Sequence, residues 1–339
     1  MNFLFLLLVL FTSFAYAQQP MQISIIDFYG LQKVSIEDIR KRLTAKEGDS
    51  IHLFKKEQMV KEIRSTPGVV DVEIQSVCCD DKEGKWILYI GIAETKSAKA
   101  TYHSTPTGTV KLPEEIMTAY DTFMNLVREA VMSGNAGEND SLGHAIMTYP
   151  PAKPVQDQLV NYAQQNLPLI REVLYKSANA DQRQVASWII AYNPDKKGIV
   201  KDLVFAVKDA DEVVRNNATR GLAVIAKYAN KHPELNINIP ADPFIEMVNS
   251  IVWTDRNKGV AVLLALTQNR PPQLIQMLNQ KASRSIIEMA KWKNAGHAEM
   301  NYLILARMAG IPEETIGRTF SDRKDASIAE MAAKILKNQ

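Results

Sequence analysis

Side chains able to do chemistry are densest between Glu138 and His144, where Glu138, Asp140, Ser141 and His144 crowd a glycine-containing stretch. Carboxylates beside an imidazole can hold a cation or orient a substrate. The stretch lacks the regular oxygen positions of a calcium loop, and the plainer reading is a solvated interhelical loop with His144 capping or packing on a neighbour. A second set is spread further along: Arg183, Arg215 and Arg256 each open an apolar-patterned helix, and Asp209 and Asp211 occupy the turn ahead of Arg215. These charges fall at matching positions of successive helix pairs. A third set, Asp71, Glu73 and Gln75, alternates with Val70, Val72 and Ile74, as one face of a strand does.

Recognisable catalytic patterns are nearly absent. The chain holds no GxSxG, HExxH, GxGxxG, Walker or CxxC motif. Ser321 and Lys324 satisfy SxxK without the companion motifs that give it meaning. His52, His103, His144, His232 and His297 are scattered without ligand spacing. A non-enzymatic protein with no metal or other cofactor is the expectation, with a metal-dependent binder or enzyme at residues 138–144 as the alternative.

Composition narrows the partners. Of 339 residues, 40 are basic and 38 acidic, a net charge of +2 that gives no reason to expect nucleic acid. Hydrophobic residues make up 46% and charged residues 23%, the balance of a folded chain. Residues 3–11 (FLFLLLVLF) and the small pair Ala15 and Ala17 read as a signal peptide over 1–17, cleaved to start the mature chain near Gln18. The apolar stretch is short for a membrane span, so no integral span is expected after cleavage. The two cysteines, Cys78 and Cys79, are adjacent, so no disulfide framework staples the fold. They read as an inward and an outward thiol at a strand end, or as a vicinal or intermolecular disulfide.

The elements that must carry these residues fall into two blocks. Over residues 18–95 the order is β-α-α-β-β. A strand at 23–28 ends at Gly30, and Ser35 caps a helix through Leu43. A second helix spans 55–64, and Pro67-Gly68 turns into the alternating strand. The run WILYIGIA at 86–93 is apolar throughout, as a strand covered on both faces is. Residues 96–112 read as a linker. A helix from Pro113 to about Val131, the polar loop 133–144 and a helix at 155–165 lead into helix pairs from 166 to 339, closed by a terminal cap. Aligning Arg183 with Arg215 sets an offset of 32, Arg215 with Arg256 one of 41, and Trp253 with Trp292 one of 39. Periods near forty suit stacked helical repeats.

Two resemblances follow from these residues. Phe28-Tyr29-Gly30, Val34-Ser35, the Gly48-Asp49 break, Thr66-Pro67-Gly68-Val69 and Ile90-Gly91-Ile92-Ala93-Glu94 resemble a POTRA domain. Val214-Arg215, Ala218 and Leu222 behind an Asp-rich turn resemble a HEAT repeat. Together they imply an α+β chain, a small POTRA-like domain followed by an all-α HEAT-like solenoid. Residues 69–78 would be a sheet edge and 86–93 the central strand. Asp71, Glu73 and Gln75 would line an edge that either accepts a partner strand or is protected by its charges. The implied function is a periplasmic or secreted protein-binding scaffold of the cell envelope in a didermic bacterium. A membrane-anchored, division-type POTRA protein is the alternative should the N-terminus stay uncleaved.

Overall fold

The computed structural model describes residues 22–51, 54–78, 80, 84–95, 101–321 and 325–337. The expected signal peptide and its cleavage point, Cys79 and the Asp322–Lys324 part of the SxxK match lie outside them. The chain is mixed α/β and mostly helical, with a small N-terminal sheet followed by a helical region.

The sheet block contains β1 (Ile23–Tyr29), α1 (Ile36–Arg40), α2 (Lys56–Arg64), β2 (Asp71–Cys78) and β3 (Trp86–Ala93). The strand order is β1-β3-β2, with β3 central, parallel to β1 and antiparallel to β2. Ser35 caps α1, its hydroxyl accepting from Asp38 N at 3.2 Å. The helix ends before the expected Leu43 because Arg42 and Leu43 turn back in tight i→i−3 bonds to Ile39 and Arg40. One sheet face is the floor of a core in which Val72, Ile74, Leu88, Ile90 and Ile92 meet Ile39, Met59 and Ile63. Burying such a side chain fully is worth about 1.5–3 kcal/mol.

The helical region opens with α3 (Glu114–Met132), and α4 (Lys153–Gln165) follows the hairpin β4 (Glu138–Asn139) and β5 (Ile146–Met147). The expected polar loop is thus a short antiparallel hairpin, with Glu138 facing Met147. Helix pairs come next: α5 (Leu167–Lys176) with α6 (Ala180–Ile189), α7 (Lys196–Ala206) with α8 (Glu212–Lys231), and α9 (Asp242–Val248) with α10 (Trp253–Leu266). An additional helix, α11 (Pro272–Lys281), precedes the pair α12 (Ser283–Ala290) and α13 (Ala295–Met308). α14 (Glu313–Ser321) and α15 (Asp325–Leu336) close the described chain. The second helices stack in order, α8 against α6 and α10, and α10 against α13. α7 and α8 join through Ile199, Leu203, Val214, Ala218, Leu222 and Ile225, all buried in the large core.

The two blocks share that core. Tyr29, Ile87 and Tyr89 project from the other sheet face and are buried among the helical residues. β3 is therefore covered on both faces, by α1 and α2 on one side and by the helical region on the other. Residues 101–112, linker-like in composition, run extended along the turns between paired helices. His103 N donates to Lys208 O at 2.7 Å, and Gly108 exchanges backbone bonds with Lys176 and Ala178 at 2.8 and 2.7 Å. Leu112 N ends the run on Gln182 Oε1 at 2.6 Å. Side chains add to these backbone bonds: the His103 ring stacks on Phe205 with centroids 4.4 Å apart, and Leu112 is buried.

Candidate functional site

Three arrangements of polar residues compete for the functional site, and the seam between the two blocks decides among them. At the seam the Tyr89 ring stacks on Trp253 with centroids 5.2 Å apart and lies 4.8 Å from the Trp292 centroid. Its hydroxyl is 2.7 Å from His297 Nδ1, and burial pushes its pKa up. Tyr29 donates to Ile251 O at 2.7 Å, with the Arg256 guanidinium 4.5 Å over its ring. Glu288 takes Gly30 N at 2.8 Å and Arg256 Nη1 at 2.7 Å, tying both blocks through one carboxylate. The tryptophans spaced 39 apart thus mark where the sheet docks.

The arginines form a ladder through the helix pairs. Arg183 makes a two-pronged contact with Asp209 at 2.8 and 2.9 Å and caps Ser177 O. Arg215 pairs with Asp255 at 2.9 Å and donates to Asp209 O and Ala210 O. Asp211 instead caps α8, accepting from Val213 N and Val214 N at 3.0 Å. Arg183, Arg215, Arg256, Asp209 and Asp255 are all buried. A Tyr102 hydroxyl bond to Asp255 at 2.5 Å and its ring 3.9 Å from the Arg215 guanidinium seal the second rung. Each rung has its partners within the fold, which makes the ladder a set of ties between helix pairs.

The residues of the 138–144 cluster are not brought together. Glu138 pairs with Arg220, Asp140 reaches Lys231 at 3.4 Å, and exposed Ser141 gives its backbone N–H to Asn139. His144 is buried and meets Lys196 Nζ at 2.9 Å, while Lys196 also donates to Ala191 O at 2.8 Å. Burial, then the Lys196 charge, pushes the His144 pKa down to about 4, and burial pushes Lys196 down to about 7. A neutral imidazole held by an amine is a buried polar latch for the hairpin. Lys196 carried no sequence signal, since its partner lies 52 residues away. Among the described residues no group of three or more His, Cys, Asp or Glu side chains could hold a metal ion.

The β2 edge offers the remaining surface. β2 is the outermost strand, with no further strand beside it among the described residues. The opposite edge is closed: Gln22 bridges Ser50, Ile23 N donates to Asp49 O and Gly48 N to Ile23 O. Between β2 and α2 lies a groove of about 800 Å³, lined by Val60, Lys61, Val72 and their neighbours. Asp71 pairs with Arg64, and Glu73 pairs with Lys56 at 2.6 Å. Gln75 turns to the helical region, donating to Thr254 Oγ1 at 2.7 Å. Cys78, at the end of β2, is disulfide-bonded, and the other cysteine of the chain, Cys79, lies outside the described residues.

No helix among the described residues is long and apolar enough to cross a membrane. Compared with family models, with curated proteins and with solved structures, the chain matches none.

Proposed function

We propose that this chain is a non-enzymatic protein-binding scaffold that works outside the cytoplasm, in the cell envelope, and receives an extended polypeptide at the β2 edge. The observation that carries the reading is the asymmetry of the sheet. One edge is closed by residues 48–50 and one face by the helical region, whereas β2 borders an open groove against α2. An outermost strand directs backbone donors and acceptors outward, and strand addition supplies their partners.

The POTRA-like order of elements supports this reading, because domains of that family commonly bind polypeptides through a sheet edge. The HEAT-like ladder supports the rest: a solenoid whose charged positions are spent on internal ties is a rigid carrier with an extended outer surface. In this reading the docked domain and the solenoid act as one body. The partner meets an edge of fixed orientation instead of a module swinging on a linker. The signal-peptide pattern of residues 1–17 is the support for an envelope location.

Photo-crosslinking in the native cell tests the proposal, with one probe replacing Lys61 in the groove and another replacing Lys227 on the exposed side of α8. A specific polypeptide adduct from Lys61 is expected. Adducts from Lys227 alone would remove strand addition and leave the helical surface as the binder. No adduct from either position would overturn the scaffold reading.

A further inference from the structure

The two ion pairs at the β2 edge have an unusual path. Val72 and Ile74 project to the face covered by α2, in the core with Met59 and Ile63. Asp71, Glu73 and Gln75 alternate with them and project to the opposite face, where Gln75 meets Thr254 of the helical region. Yet Glu73 pairs with Lys56, and Asp71 with Arg64, both from α2. The inner side of β2 is occupied by β3, so the Lys56–Glu73 contact must pass around the outer edge of the strand. It lies across the middle of the edge, and Arg64–Asp71 closes the N-terminal end.

We infer that these ion pairs are exchangeable clasps over the acceptor edge, and that the partner is an acidic extended peptide whose carboxylates take over Lys56 and Arg64 as it adds to β2. The inference rests on the strand-addition reading above and deepens it. A neutral strand would have to break both pairs and leave the α2 cations without carboxylates at the groove. An acidic strand exchanges one carboxylate for another on the same ammonium and guanidinium groups. The central clasp is accessible, with the Lys56 and Glu73 side chains 52% and 36% exposed, and at the N-terminal end Arg64 is 52% exposed over an Asp71 that is 15% exposed. Lys61, also in the groove, adds a third cation there and Glu57 a carboxylate, so the groove stays cationic on the side that faces α2 once Glu73 is displaced. The same clasps protect the edge from adventitious pairing when no such peptide is present, which reconciles acceptance with protection.

The test uses the full chain and three peptides matched to β2 in length: alternating Glu–Thr, alternating Gln–Thr and alternating Lys–Thr. Binding is read by fluorescence anisotropy, and its place by amide-exchange protection along β2. Glu–Thr is expected to bind at least about tenfold more tightly than Gln–Thr, the scale of one charge-assisted contact, with Lys–Thr weakest. Replacing the three cations (K56M, K61M and R64M) should abolish the preference for Glu–Thr. Glu73→Gln, which opens the central clasp from the strand side, should tighten Gln–Thr binding several-fold. Equal binding of Glu–Thr and Gln–Thr at β2 would overturn the clasp exchange while leaving strand addition intact. Absence of β2 protection with every peptide, in the wild type and in Glu73→Gln, would overturn both.

Discussion

Lys196 Nζ lies 2.9 Å from His144 Nδ1, and both side chains are buried with no carboxylate bonded to either. The pair fixes the hairpin of β4 and β5 to the start of α7 by a bond that requires a neutral imidazole. Its stability depends on pH in two windows. Both groups are cationic when protonated, and both have folded-state pKa values below the unfolded ones. The unfolded chain therefore binds more protons in each interval, and stability rises with pH. For His144 the interval runs from about 4 to the unfolded 6.5, and for Lys196 from about 7 to 10.5. The chain should lose stability as pH falls from 6.5 towards 4. It should gain stability from pH 7 to about 9.5, short of tyrosine ionisation in the unfolded chain. Lys196→Met should flatten the alkaline rise in urea midpoints measured across that range.

The arginine ladder predicts an asymmetry between single and double replacement. Arg215→Ala leaves Asp255 buried beside Tyr102 without its cation and should cost about 3–5 kcal/mol. Replacing the pair together with apolar residues of similar volume, Arg215→Met with Asp255→Leu, should recover most of that loss. Urea unfolding of the two variants checks it. Equal destabilisation of both would mean that the ion pair itself, and not the orphaned charge, carries the cost.

The seam should make the sheet and the helical region unfold together. Trp292 is 2% exposed and touches Tyr29 and Tyr89, so Trp292→Ala should cost about 3–5 kcal/mol. The variant should also separate the single transition into two. Tryptophan fluorescence reports the seam and far-ultraviolet dichroism the helices. A single coincident transition in the variant would show that the blocks are joined elsewhere.

Gly91 supplies a sharper probe of the same seam. A methyl group at this position would overlap the Ile251 carbonyl oxygen and sit 2.6 Å from the Tyr29 ring. Gly91→Ala should therefore undock the sheet face while leaving the α2-side core in place, because Ile90 and Ile92 point the other way. Protease cleavage in residues 101–112 should appear in this variant and be suppressed in the wild type.

Much of this arrangement was legible in residue order, and the limits have physical causes. The alternation of β2 marked a strand with unlike faces and the apolar run of β3 a doubly covered strand, while the edge position of β2 was implied only by the POTRA resemblance. The identity of the second cover was hidden, since the contact from Tyr89 to His297 spans 208 residues. Trp253 and Trp292 stood out as a repeated position, but period alone does not say what lies on it. Residues 101–112 looked like a linker because many of their contacts use backbone groups, which have no sequence signature, and because the partner of Tyr102 lies 153 residues away. The helix α11 went unforeseen because Leu274 and Leu278 are its only buried residues, too few to set a period. Val131 fitted the apolar face of α3, yet it is 61% exposed at a helix end where the packing surface has run out.

The distance along the chain between the sheet and the helices that cover it has a consequence for how the chain comes into being. Emerging from a ribosome or a translocation pore, the sheet can close its α2-side core at once, as every strand and helix it needs is made first. Its outer face, Tyr29, Ile87 and Tyr89, begins to find cover only with Ile251 and Trp253 and completes it with His297 of α13, 208 residues after Tyr89. During that interval an aromatic surface and an open strand edge lie bare in the same small module, the condition under which nascent chains mispair. Closing so distant a contact is also slow relative to forming the helix pairs. The protein should therefore depend on a holding factor during synthesis or export, more than its mature stability would suggest.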